Sequence, residues 1–326
     1  MKGFRSVVRH FFHDRSLRAK LFICIAIFII IPLIAAGVIL NVKFTQNDLK
    51  KSSEIELQTL LQTKKNIEFM IAEVDDLSVR IIANDNVRRF LKIEGMDDPE
   101  YERLYVAILQ WMNDVIGMRD YYDSVSIIRN GETVFQRGFH MDAADPEFEK
   151  LAIEMNGSWL WSYPEEVQEY VSARTFLTFY RSIMDFEQYG RSLGVIKISI
   201  SGRKIASALE VASFYHNAES YLVNRERVVL ATNGELISGQ NLLDRDYMEK
   251  LMEGEQGYFL ADVEGVPSVV LFFTVEQTGW KFIRVIPVKD VVGPNQINTM
   301  LIITVALCVL FGMLFSFVQH RYQIKP

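Results

Sequence analysis

The chain has 326 residues, a formal charge of −6 and 49% hydrophobic residues. Its length is sufficient for one large or two small domains. The stretch between its two longest apolar runs holds 27 of the 35 basic and 40 of the 41 acidic residues, and its formal charge of −13 argues against nucleic acid or anionic lipid as its partner. Both cysteines, Cys24 and Cys308, lie in the apolar runs, which excludes disulfides and cysteine zinc sites from that stretch.

The first apolar run, LFICIAIFIIIPLIAAGVIL at 21–40, contains no charged residue. Twenty helical residues span a hydrocarbon core of about 30 Å. Six basic residues and one acid precede the run, which predicts that residues 1–20 are cytoplasmic. A cleaved signal peptide is the alternative, although its apolar core is usually shorter and ends at a small-residue cleavage site.

A second uncharged run lies within 297–319 and is followed by His320, Arg321 and Lys325. These features predict a second transmembrane helix and a return to the basic, cytoplasmic side. The predicted topology is therefore a two-span protein of the cell membrane, with both termini in the cytoplasm and residues 41–296 outside. Gly293-Pro294 is expected to interrupt any helix entering the second span, either as a simple linker or as a joint in a transmitted motion.

Between the spans, apolar residues first recur every three or four positions, and no proline or glycine occurs over 41–94. This pattern predicts one helix over about 42–92. It is typical of an amphipathic helix that covers a sheet, and also of a dimerising stalk with heptad packing.

From residue 124 the apolar period changes to two, which is typical of strands. The first unit, about 100–211, is predicted to contain a hairpin at Asn130-Gly131 and strands over 157–163, 170–181 and 193–200. A second unit, about 215–290, is predicted to contain a hairpin, a short helix over 244–252 and three further strands. The fold class is therefore α+β, with antiparallel sheet units in tandem after one long helix.

The sequence contains no HExxH, P-loop or GxGxxG motif, and the histidines of the segment between the two apolar runs show no metal-ligand spacing. We therefore predict no catalytic residue, metal ligand or cofactor, and we expect a binding module. The predicted ligand site combines alternating aromatic residues with nearby arginines: Trp159, Trp161, Tyr163, Arg174, Tyr180 and Arg181. Aromatic walls and guanidinium donors suit a small solute such as a sugar or an organic acid. The alternative is that the tryptophans form core and the arginines cap turns.

Several stretches carry a family resemblance: SLRAKLF at 16–22, IIIPLIAAG at 29–37, LLQTKKNIEFMIAEVDDLSVRIIAND at 60–85, LGVIKISIS at 193–201, TGWKFIRVIP at 278–287 and RYQIKP at 321–326. In these stretches the chain resembles the sensor half of a YesM-type bacterial sensor histidine kinase with a double Cache (PAS-like) domain. Its last residues, 320–326, are similar to the start of a HAMP linker.

The resemblance implies a parallel homodimer in which the membrane-distal unit binds ligand and the proximal unit often does not. It also implies that kinase activity and contact with a cognate response regulator reside in sequence beyond residue 326. The strand at 157–163 lacks the arginine of the amino-acid-binding double Cache pattern, so amino-acid specificity is not implied. A chemotaxis receptor, a membrane-bound AraC-type regulator and a non-signalling membrane anchor are the alternative functions.

Overall fold

The computed structural model describes residues 17–93, 95, 97–117, 119–138, 146–162, 176–188, 190–202, 204–205, 207, 215, 217–233, 241–242, 247–292, 302–303, 306–307, 309–310 and 312. The chain divides into two compact units, one formed by Ile55–Pro287 and the other by Met1–Glu54 with Val288–Pro326. Gly293-Pro294, the expected linker at 320–326 and most of the expected second span lie outside the described residues. In the part of the chain that the structure describes, no helix combines the length and the apolar character needed to cross a membrane.

The longest element is helix α1 (Leu17–Ala83). From residue 55 onward its buried positions follow the three-to-four spacing of one helical face. These buried side chains include Glu56, Leu60, Thr63, Ile67, Ile71, Val74, Ser78 and Ile81. This part of α1 is therefore an amphipathic helix with its apolar stripe inside the unit Ile55–Pro287.

The helix does not continue unbroken to about residue 92 as the sequence predicted. Asn84 is extended, with φ −74° and ψ 119°, and its Oδ1 accepts hydrogen bonds from the backbone N–H groups of Asn86 and Val87. The side chain thereby satisfies the first free amides of helix α2 (Asp85–Lys92). Because an asparagine can cap a new helix in this way, α1 ends and a short second helix begins.

The first sheet follows helix α3 (Pro99–Ile116) and has the strand order β2-β1-β5-β4-β3. All its pairings are antiparallel. Its elements are β1 (Tyr122–Arg129), β2 (Glu132–Gly138), α4 (Pro146–Glu154), β3 (Trp159–Ser162), β4 (Phe176–Met184) and β5 (Ser192–Ser201). The β1–β2 turn has positive φ at Asn130 (54°) and Gly131 (82°), which confirms the predicted hairpin.

The second sheet has the strand order β7-β6-β10-β9-β8 and is also antiparallel. Its elements are β6 (Glu219–Val223), β7 (Val229–Thr232), α5 (Met248–Glu253), β8 (Gln256–Val263), β9 (Val266–Thr274) and β10 (Lys281–Pro287). A short helix, α6 (Val288–Val292), follows β10. In both sheets the last strand in sequence lies at the centre and a helix lies between the second and third strands. The two sheets therefore repeat one topology, consistent with the expected tandem Cache-like α+β architecture.

Alternation along the central strands decides what each face of the sheets contacts. On β10, Arg284 lies on the face that meets α1, where it bonds to Glu56. Ile283 and Val285 lie on the other face, in a core cluster with Met248 and Leu251 of α5. The central strand β10 is thus buried on both faces, with a different set of side chains on each.

Candidate ligand-binding site

The two predicted tryptophans share one face of the first sheet. Trp159 pairs with Arg181 across the β3–β4 ladder, and Trp161 pairs with Phe179. Both indoles contact the Phe179 ring, at centroid distances of 6.2 and 5.3 Å. The sequence-predicted alternation of Trp159 and Trp161 is confirmed.

Arg181 lies on the tryptophan face and points toward α1. Its Nε donates to the carbonyl oxygen of Gly157 at 2.7 Å, and its Nη1 donates to Asp75 Oδ1 at 2.6 Å and to Ser78 Oγ at 3.0 Å. These bonds join β4, the turn before β3 and the long helix. Arg181 therefore holds the sheet against the helix.

Tyr180 occupies the opposite face of β4, since neighbouring strand residues alternate. It is buried, and its ring stacks on Phe148 of α4 with centroids 5.5 Å apart. Ala152 and Val195 complete this small core. The structure thus brings Trp159, Trp161 and Arg181 to one face and separates Tyr180 from them. The two other predicted site residues, Tyr163 and Arg174, lie outside the described residues.

The Tyr180 face carries an unusual concentration of polar side chains. One row crosses the sheet from Tyr180 on β4 to Lys197 on β5, Ser126 on β1 and Gln136 on β2. The adjacent row contains Thr178, Ser199 and Ser124, and the hydroxyl oxygens of Thr178 and Ser199 are 3.4 Å apart. We call the six buried members of these rows the polar rows: Ser124, Ser126, Thr178, Tyr180, Lys197 and Ser199.

Lys197 is the charged group of the polar rows. Its side chain lies at the middle of the central strand β5 with only 6% of the residue exposed, and its Nζ is 5.9 Å from the centre of the Tyr180 ring. Removing an ammonium from water is costly, so a lysine at this depth requires polar or anionic surroundings. An ammonium surrounded by hydroxyl groups and one aromatic ring can bind a carboxylate while the hydroxyl groups bind neighbouring polar atoms.

The prediction from sequence did not include Lys197 or the serines. The signal was present in the alternation of β1 and β5, where Ser124 and Ser126, and then Lys197 and Ser199, occupy every second position between apolar residues. Strands with this pattern usually place the polar face in water. Both strands are interior strands of the sheet and are buried on both faces, so the polar side chains lie inside.

Known proteins are similar to this chain in fold. The sequence matches no protein-family model and no curated protein. One similar structure is the extracellular domain of a protein described as the histidine kinase vpHK1S-Z8, which is 14% identical to this chain. Its TM-score is 0.56, and the match covers 75% of this chain and 98% of that domain. This chain therefore shares its fold with that extracellular domain.

Two chemoreceptor domains have the same fold, and their solved structures contain small ligands. The sensory domain of Tlp3 from Campylobacter jejuni, with isoleucine bound, is 13% identical and has a TM-score of 0.54 over 76% of this chain and 98% of its own. The ligand-binding domain of the amino acid chemoreceptor PctC from Pseudomonas aeruginosa PAO1, in complex with GABA, is 15% identical and has a TM-score of 0.50 over 72% and 99%.

Proposed function

We propose that this chain is the sensor region of a membrane receptor and that it binds a small extracellular carboxylate on the polar rows. The observation that carries the proposal is Lys197, a buried lysine on the central strand of a sensor-type fold. The fold is shared with domains whose structures contain isoleucine or GABA, both of which carry a carboxylate. An amino acid or another organic acid is therefore the expected ligand class.

We also propose that the chain is anchored in the cell membrane by 21–40 and 297–319, with both termini in the cytoplasm. The exposure of apolar side chains on α1 supports this arrangement. Eight large apolar residues are about half exposed or more: Phe28, Ile31, Ile34, Val38, Ile39, Leu40, Val42 and Phe44. A helix that is apolar all round is stable in lipid and unfavourable in water.

For the output we propose a two-component histidine kinase of the YesM type that acts as a parallel homodimer on a cognate response regulator. A ligand changes such an output only by binding one conformational state more tightly than the other. A chemotaxis receptor is the second candidate, because Tlp3 and PctC share the fold. The cytoplasmic sequence that follows the sensor in the gene distinguishes the two.

The test is thermal unfolding of the full chain in lipid nanodiscs with L-isoleucine, GABA, succinate or citrate. A ligand at a hundred times its Kd stabilises the folded state by about 2.7 kcal/mol, which shifts the unfolding temperature measurably. Lys197→Met removes the ammonium and keeps a long side chain, so it is expected to weaken carboxylate binding at least about thirtyfold.

The matched control is Lys150→Met, because Lys150 is an exposed lysine on α4 with a side chain 79% exposed. It should leave binding unchanged. The proposal fails if none of the four carboxylates stabilises the chain, or if a carboxylate binds equally well to the Lys197→Met variant.

A further inference from the structure

Three of the four tryptophans converge where the first sheet meets the second. Trp159 and Trp161 come from β3, and Trp280 precedes β10 of the second sheet. The rings of Trp161 and Trp280 meet edge to face, with centroids 5.2 Å apart and an interplanar angle of 69°. All three lie within Ile55–Pro287, and the two on β3 are on the sheet face opposite Tyr180.

These tryptophans line a cleft of about 290 Å³. The turn between β6 and β7 and the turn between β9 and β10 supply the rest of its wall. The lining residues are Trp159, Trp161, Asn224, Arg225, Glu226, Gln277, Thr278 and Trp280. This volume lies at the lower end of the range of small-molecule pockets, which is roughly 300–1,000 Å³. A cleft of this size has space for one ring-sized solute.

Two of the lining residues hold buried hydrogen-bond donors for which the described residues supply no acceptor. They are Trp161 Nε1 and Asn224 Nδ2, on residues that are 8% and 1% exposed. Asn224 Oδ1 accepts from the backbone N–H of Val228 at 2.8 Å, which fixes the orientation of the amide. Since buried donors are nearly always paired, the two N–H groups favour a ligand that presents oxygen acceptors.

The charges at the cleft favour a neutral ligand. Arg225 and Glu226 are consecutive exposed residues of opposite charge on the β6–β7 turn. Gly279, with φ 73°, lets the Arg225 guanidinium lie directly against the β9–β10 turn, where a Cβ would collide with it. The lining residues therefore carry no net charge, and Trp159 is the tryptophan that leaves part of its ring accessible.

We propose that this cleft is a second binding site, separate from the polar rows, for a single neutral sugar ring. The half-buried Trp159 indole packs against a C–H face of such a ring, while the sugar's hydroxyl oxygens accept hydrogen bonds from Trp161 and Asn224. Because β3 belongs to one sheet and the two turns to the other, a bound sugar contacts both sheets at once.

The experiment is a titration of the full chain in lipid nanodiscs, which avoids sugar-headed detergents, with D-glucose, D-galactose, D-mannose and D-xylose. Binding is followed by tryptophan fluorescence and by calorimetry. Trp161→Phe keeps an aromatic ring and removes the N–H; Asn224→Asp keeps the acceptor for Val228 and removes the amide donor. Each change is expected to raise the Kd of the bound sugar about three- to tenfold.

Two control variants test whether sugar binding depends on this cleft in particular. Trp111→Phe alters the remaining tryptophan, on α3 and away from the cleft, and should leave the Kd unchanged. Lys197→Met should also leave it unchanged, because Lys197 belongs to the polar rows. The proposal is overturned if none of the four sugars binds, if Trp161→Phe and Asn224→Asp leave the Kd unchanged in variants with native circular dichroism, or if Lys197→Met weakens sugar binding as much as they do.

Discussion

The buried ion pair between Arg284 and Glu56 shows how single residues join the second sheet to the long helix. Arg284 Nη1 donates to Glu56 Oε1 at 2.8 Å, and Arg284 Nε donates to Ser220 Oγ at 3.0 Å. Both ionic side chains are almost completely buried, with 0% and 2% exposed. A pair of this kind is strongly destabilising when only one partner is removed, because a charge is then left buried.

We expect Glu56→Ala to lower the free energy of unfolding by about 3–5 kcal/mol, measured by urea denaturation. The double variant Glu56→Leu, Arg284→Met should recover most of this loss, since no charge is then buried. Glu54→Ala is the control, because the Glu54–Lys50 pair is exposed and contributes less than about 1 kcal/mol. Equal stability of the Glu56→Ala and Glu54→Ala variants would contradict the interpretation.

The same pair predicts a pH dependence. Burial raises the pKa of Glu56 above its ordinary value of 4.5, and the Arg284 guanidinium only partly offsets this effect. A carboxyl group with a raised pKa in the folded state favours folding below its unfolded pKa, and this contribution is lost as the pH rises through the folded pKa. The unfolding free energy of the native chain minus that of Glu56→Gln should therefore decrease as the pH rises from about 4. A difference that stays constant or increases would refute this prediction.

At the scale of elements, the junction between α1 and α2 depends on one side chain. Asn84 caps α2 through Oδ1, at 2.9 Å from the N of Asn86. Asn84→Ala should lower the free energy of unfolding by about 1 kcal/mol, because two backbone donors lose their acceptor. Asn84→Asp keeps an acceptor and should lose little, so equal losses in both variants would disprove the capping role. Thermal or urea unfolding measures both.

At the scale of the whole molecule, the outer surface of α1 is available for the proposed parallel dimer. Ile55 and Phe69 are 61% and 65% exposed and lie two heptads apart, as dimer contacts of a stalk would. Phe69→Glu should weaken dimerisation about tenfold or more, measured by analytical ultracentrifugation in detergent. Phe186 is equally exposed, at 68%, on the turn between β4 and β5, so Phe186→Glu is the matched control. If both variants associate like the native chain, α1 is not the contact.

The sequence by itself determined the local features of this protein. The Asn130-Gly131 turn, the change of apolar period near residue 124 and the alternation of Trp159 and Trp161 were all predictable, because each depends on neighbouring residues and backbone preference. The break at Asn84 was missed because an asparagine is tolerated within a helix and caps one only where the chain can restart.

Only the tertiary structure decided how distant residues meet. Strand pairing put Tyr180 on the face with Lys197 and put Arg181 against α1. Association of the two sheets brought Trp161 to Trp280, and packing of β10 on α1 paired Arg284 with Glu56, 228 residues away in sequence. Periodicity shows that a strand has two faces, but the order of the strands and the elements packed on them determine what each face contacts. The composition of the candidate site is therefore a property of the assembled sheets.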